Sequence, residues 1–233
     1  MRFLNTMSPL KHSIKKINNP FVKFSLQSLQ LPVVNKDFLL SYHNLPIDLT
    51  NKNGFPIRTR RYANYNIKKK DNVFNIFYTG KDRFTQNVND SRKEERVFPL
   101  IEEKFINDDF LLRFMVQCCS LDQLKGKKNF DISVHQVRQI CYPGVESHNS
   151  PEGIHKDGAD YIVSALVMNK YNIDGGESVV YDHEKNQIYN TTLEKGNGIF
   201  QDDKKLWHYV TPITTNNNYI GIRDILGLDI TLK

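Results

Sequence analysis

The sequence predicts a mainly β protein with flanking helices around a jelly-roll core, and three observations carry that prediction. From Asn129 onward, short apolar or alternating segments are separated by glycine- and asparagine-rich turns such as Asp174-Gly175-Gly176-Glu177 and Gly196-Asn197-Gly198. Two aromatic-rich runs, Phe55–Ile67 and Asn72–Tyr78, flank the polar Lys68-Lys69-Lys70-Asp71 and read as a β-hairpin. Between these regions, Phe98–Leu124 carries apolar residues at helical intervals: Leu100, Ile101 and Phe105, then Leu111, Leu112, Met115 and Val116. With Asn107 or Asp108 as a cap, this gives two short helices packed on a sheet.

Residues 1–50 lack sustained periodicity and read as an N-terminal arm with short strands or turns. Leu29–Val34 is its candidate edge strand, because Pro32 has no ladder donor. Residues 51–233 form the domain proper, with the jelly-roll core over about 129–233. Asp82–Arg96 is polar and reads as a loop. In the first core strand, Ile132, Val134, Gln136, Arg138 and Ile140 share one face. If that face is inward, Gln136 and Arg138 need polar partners, and a ligand is one solution. The alternative is that this face is outside. A loop containing His148 follows, then a strand carrying His155 and Asp157. Asp160–Asn169 is almost unbroken apolar sequence, as in a strand covered on both sides. Ser178–Tyr181, Ile199–Gln201, Leu206–Pro212 and Tyr219–Ile230 complete the set.

A chain of 233 residues with 39% apolar and 25% charged residues suits one large soluble core. No apolar run approaches the roughly 20 residues of a membrane span. The formal charge of +6 is spread over Lys11–Lys36 and Arg58–Lys70 rather than along one helix, which disfavours nucleic acid as a partner. Cys118, Cys119 and Cys141 form no Cys-x-x-Cys and no paired framework. They read as buried thiols in a reducing compartment, and the cytoplasm is the expected location.

The chemistry gathers at Pro151-Glu152-Gly153-Ile154-His155-Lys156-Asp157-Gly158. On a strand, residues i and i+2 project from one face, so His155 and Asp157 offer an imidazole nitrogen and a carboxylate oxygen to one point. These are two members of a 2-His-1-carboxylate set, which holds Fe(II) and leaves open positions. His183, in the turn-like Tyr181-Asp182-His183-Glu184, and His208 compete for the third place. His208 is preferred, since Leu206, His208 and Val210 share a strand face that carries the ring into an apolar interior. On the last strand Gly221 and Gly227 flank Arg223 on one face, leaving room for a carboxylate held by a planar guanidinium.

Together these stretches, with Gly175-Gly176-Glu177, Asp202-Asp203, Trp207-His208-Tyr209-Val210-Thr211-Pro212 and Gly221-Ile222-Arg223-Asp224, resemble the Fe(II)/2-oxoglutarate dioxygenases typified by L-isoleucine 4-hydroxylase. The resemblance extends from about Arg60 to the C-terminus. It implies a double-stranded β-helix, iron on His155, Asp157 and His208, and Arg223 on the distal carboxylate of 2-oxoglutarate, with Gln136 a second contact to the cosubstrate. It also implies oxygen as co-reactant and a free aliphatic L-amino acid as substrate. Arg138 or an arginine of the Arg58–Arg61 strand, such as Arg60, is then expected to meet the substrate carboxylate, and Glu152 or Glu177 its ammonium. Two other functions use the same residues differently: oxygenation of a protein or nucleic acid, and metal binding by a cupin-like protein without oxygenase activity.

Overall fold

The computed structural model describes residues 4–9, 19–48, 58–85 and 95–233. The strands are β1 (Leu4–Met7), β2 (Phe21–Ser25), β3 (Arg58–Lys70), β4 (Val73–Tyr78), β5 (Arg83–Thr85), β6 (Glu95–Val97), β7 (Asn129–Cys141), β8 (Tyr161–Tyr171), β9 (Asp174–Gly175), β10 (Glu177–Tyr181), β11 (Gln187–Thr192), β12 (Asn197–Asp202), β13 (Trp207–Val210), β14 (Ile213–Thr214) and β15 (Gly221–Leu232). The helices are α1 (Lys36–Leu40) and α2 (Asp109–Cys118). Eight strands form the major sheet in the order β1-β4-β3-β7-β15-β8-β12-β2, and β11-β10-β13 form a minor sheet. Every pairing in both is antiparallel, as a jelly roll requires. None of the described helices is long and apolar enough to cross a membrane.

Strand periodicity divides the core in two. Residues Ile132 and Val134 of β7 and Leu226, Leu228 and Ile230 of β15 pack with Leu111, Leu112 and Met115 of α2 in one large cluster. Their neighbours with the opposite facing, Val137 and Ile225, join Ala165, Val167 and Ile199 in a smaller cluster inside the barrel. One face of the major sheet is thus roofed by helix and the other looks into the jelly roll.

Several local expectations are refined. Phe98–Leu124 holds a single α-helix, α2, between 3-10 turns at Glu103–Phe105 and Asp122–Leu124. Asp108 caps it, accepting from Leu111 N–H at 3.2 Å. The Asp82–Arg96 stretch contributes β5 and β6, which pair with each other. Leu29–Val34 is a turn rather than a strand, because Leu29 is drawn wholly into the core and its carbonyl accepts from Gln117 at 2.7 Å. The hairpin stands, with β3 running through Lys70 and Asp71 at φ 54° in the turn; residues 55–57 of its expected first strand lie outside the described residues.

The described part of residues 1–50 is built into the domain rather than projecting from it. β2 pairs with β12, and Phe24, Phe38 and Tyr42 are buried in the large cluster. A Cβ at Gly198 would lie 2.4 Å from the Phe24 ring, so glycine there is what lets β2 dock.

Candidate metal centre and its cleft

His155 lies in an isolated bridge rather than a full strand. Gly153 and Gly158 on either side have φ of 80° and 87°, and these left-handed residues end any extended run. The bridge is to His208: each residue's N–H donates to the other's carbonyl at 3.0 Å. β13 therefore delivers His208 against His155, with ring centroids 4.2 Å apart. Asp157 completes the group. Its Oδ1 is 3.6 Å from His155 Nε2, and its Oδ2 is 3.5 Å from His208 Nε2. One ligating atom from each of the three lies within 4.8 Å of the others, so the set can hold a metal ion. His155 Nδ1 is 2.8 Å from the Gly153 carbonyl. As donor there, Nδ1 keeps its proton, and Nε2, on the Asp157 side, is the nitrogen that a metal could take once its own proton is lost.

The electrostatics fit a cation. Burial alone would lower the His155 pKa, but Asp157 and Glu152 outweigh it and lift it to about 9. Burial lowers His208 to about 4, against the pull of Asp157. For Asp157, burial favours the neutral acid, yet His208 and His155 hold the carboxyl well below the usual range. Asp203, fully buried, accepts from Asp157 N–H at 3.3 Å and Gly158 N–H at 2.8 Å, clamping the turn that carries Asp157.

The triad opens onto a cavity of about 120 Å³. Arg58, Arg60, Arg96 and Glu152 line it together with an apolar wall that includes Val137 and Ile225. Arg60 donates to His135 Nδ1 at 2.6 Å, and His135 Nε2 stands 2.9 Å from Asp229 Oδ2. The Arg60 guanidinium also lies 3.9 Å above the Phe98 ring and near the buried Asp48. Burial and the neighbouring Arg58 lower its pKa to about 10. Glu152 Oε1 is 3.3 Å from His155 Nε2.

Arg223 faces the barrel interior with Ile225. It is 2% exposed, and neither terminal nitrogen has a hydrogen-bond partner among the described residues. Burial lowers its pKa to about 10. A Cβ on Gly176 would press on the Ile213 side chain at 2.9 Å and lie in ordinary contact, 3.7 Å, with Arg223 Cδ and Nε, so Gly176 packs beside the guanidinium stem. A charged donor left bare in a dry interior costs at least about 1–3 kcal/mol, and a ligand carboxylate is the group that would repay it.

The remaining expected residues stand elsewhere. Gln136 and Arg138 are on the face of β7 beneath the helices, because that face continues the Ile132–Val134 series. Gln136 donates to Ser41 at 2.7 Å, and Arg138 makes two bonds to Asp224, at 2.6 and 2.8 Å. Glu177 accepts from Asn190 on the outside of the minor sheet. The structure does not bring these three to the cleft. His183 is exposed, beside Glu184, and is not a member of the metal-ligating set. The sequence assigned no site role to His135, Asp229 or Arg96, and Asp203 stood there only within the Asp202-Asp203 motif. Asp229 shares the Arg223 face at even spacing through Gly227, so the same strand argument would have found it. Arg96 sits on a hairpin that no pattern announced.

The donor set of two imidazoles and one carboxylate suits Fe(II), and the bare Arg223 suits the carboxylate of an oxo-acid cosubstrate. Residues 40–229 match the family described as 2OG-Fe dioxygenase. Among solved structures, the chain is similar to a bsmA homolog from Methylobium petroleophilum (21% identity, TM-score 0.79, covering 92% of this chain and 89% of that one). It is similar to IDO from Bacillus thuringiensis (23%, 0.69, 92% and 90%). A third is the Fe(II)/α-ketoglutarate-dependent dioxygenase TqaL (14%, 0.65, 92% and 84%). At these identities the likeness establishes the fold. None of the curated proteins matches the sequence.

Proposed function

The chain belongs to the 2OG-Fe dioxygenase family, and from that premise we propose that it hydroxylates a free, aliphatic L-amino acid. The observation that carries this reading is the small cleft in which arginines, a glutamate and an apolar wall converge on the triad. Fe(II) is the family's metal cofactor, and 2-oxoglutarate and dioxygen are consumed with the substrate. Together they convert a C–H bond to C–OH while 2-oxoglutarate becomes succinate and CO2.

The chain's own residues bind, orient and exclude water. His155 and His208 would hold the iron through Nε2, and Asp157 through its carboxylate. Arg223 takes the distal carboxylate of 2-oxoglutarate, for which its two bare nitrogens form a ready fork. Of the arginines first considered for the substrate carboxylate, Arg138 is committed to Asp224, whereas Arg60 lines the cleft. Glu152 is the acceptor for the ammonium, since its carboxylate reaches to 3.3 Å from His155 Nε2. Val137 and Ile225 face the aliphatic side chain and keep water from it.

Succinate release across a panel of free L-amino acids, their decarboxylated amines, peptides and oligonucleotides tests the proposal. Turnover should vary modestly among Ile, Leu and Met, since one methylene is worth only about 1–3 kcal/mol. It should collapse for the amines, which strand a cleft cation without its partner. A peptide or oligonucleotide turned over faster than every free amino acid would overturn the reading.

A further inference from the structure

The two imidazoles of the triad are not supported alike. A histidine that gives Nε2 to a metal must carry its proton on Nδ1, and that proton needs an acceptor to fix the ring. His155 has one, the Gly153 carbonyl at 2.8 Å. Nδ1 of His208 instead faces the amide nitrogen of Gln201 at 3.4 Å, a donor against a donor once the metal is bound. The Gln201 side-chain oxygen, meanwhile, is buried without a partner, and the residue is wholly inaccessible. One rotation resolves both anomalies. Turning the amide by half a revolution exchanges its oxygen and nitrogen in nearly the same volume. The oxygen then accepts the Nδ1 proton.

We propose that Gln201 is a positioning residue whose side-chain oxygen accepts the Nδ1–H of His208 and thereby fixes the tautomer and orientation of that ligand. The inference rests on the reading of His208 as a metal ligand. Gln201 is well placed for the task. It lies on β12, paired with Ile162 on one side and Phe21 on the other, so its backbone is held between two strands. Asp203 is the competing acceptor, but its Oδ1 is 3.9 Å from Nδ1, beyond hydrogen-bond reach. Both of its oxygens already take backbone donors from Asp157 and Gly158. The two ligands are thus steadied by different means: a main-chain carbonyl in a glycine turn for His155, and a side-chain amide on a rigid strand for His208.

The test uses the full chain with Gln201→Leu, which keeps the volume and removes the acceptor, and Gln201→Glu, which keeps an acceptor. Fe(II) affinity should fall on the order of 10–100-fold in the leucine variant, the usual effect of losing such a partner. The visible band of the anaerobic Fe(II)–2-oxoglutarate complex should shift, and the melting temperature of the metal-free protein should not. The glutamate variant should restore affinity and band. A leucine variant with parental affinity and an unmoved band overturns the proposal. If that variant does not fold, the parent chain decides. Loaded with Co(II), it should show two paramagnetically shifted imidazole N–H protons that exchange slowly with solvent, and a single slow signal overturns the proposal. A His208→Ala control separates the two layers. Metal loss there with none in Gln201→Leu refutes only the role of Gln201, whereas parental binding by His208→Ala refutes the metal-site reading itself.

Discussion

Two arginines stand on the paired strands β7 and β15 and face opposite ways. Arg138 points beneath the helices and grips Asp224 through two bonds of 2.6 and 2.8 Å. Arg223 points into the barrel, also buried, and both terminal nitrogens are bare among the described residues. Both side chains are buried guanidiniums; the partner is what differs. A buried charge that the fold has already neutralised belongs to the structure. One left open at a cost is kept for something that arrives later.

The sharpest way to break this comparison is to remove each guanidinium in turn. Arg223→Ala should weaken 2-oxoglutarate binding by about 3–5 kcal/mol, two orders of magnitude or more, by analogy with broken buried ion pairs. Denaturant titration of the metal-free protein should show its stability kept or raised, since an uncompensated charge is gone. Arg138→Ala should do the reverse. It strands Asp224 in the core and costs stability on the same scale of about 3–5 kcal/mol, while the folded protein keeps its apparent affinity for 2-oxoglutarate. Equal loss of cosubstrate affinity in both variants would erase the distinction.

A pH-dependent effect, about a hundredfold between pH 6 and 8, separates the two histidines of the triad. His155 is held protonated up to about pH 9, chiefly because Asp157 and Glu152 overcome its burial, whereas His208 is already neutral above about pH 4. On the proposed ligation, iron displaces one proton, from His155, across the range between. Apparent Fe(II) affinity should rise about tenfold per pH unit up to about pH 9 and then level, as expected when a ligand must first lose its proton. A pH-independent affinity between 6 and 8 would show that His155 does not bind the metal. The smallest effect is expected at Gln136, on the same face of β7 as Arg138. Gln136→Leu should cost about 0.5–1.5 kcal/mol, the worth of its bond to Ser41, and leave the apparent affinity for 2-oxoglutarate unchanged.

How much of this was legible beforehand follows from the same strands. Period-two alternation showed that Arg223 and Gly227 share a face and that Leu226 and Leu228 share the other, and the structure agrees. Alternation cannot say which face is inward. In β7 one face mixes Ile132 and Val134 with Gln136 and Arg138, and its polar members looked like ligand contacts. They pair instead with Ser41 and Asp224, and Ser41 comes from residues 1–50, where periodicity gave no signal. Neighbours on a strand face apart, so Asp224 is turned away from Arg223 and meets Arg138 across the ladder instead. The triad spacing was legible although its stated reason was incomplete. His155 and Asp157 converge through a glycine-bounded bridge, not a continuous strand. The clamp at Asp203 and the His135–Asp229 pair depend on three-dimensional closeness, which no local pattern encodes.

The docking of β2 on β12 has a consequence for anyone trimming the chain. β2 is the outermost strand of its sheet, and β12 carries a row of amides and carbonyls from Asn197 to Gln201 that β2 satisfies. Deleting the residues through Ser25 would bare that row and leave the slot over Gly198, shaped for the Phe24 ring, unfilled, and by removing β1 it would bare β4 at the opposite edge as well. An uncovered strand with a vacant apolar slot is a template for another chain's strand. The truncated protein should therefore self-associate with rising concentration, and a peptide spanning residues 19–26 should reduce that association by reoccupying the β12 template, with β4 left open at the other edge.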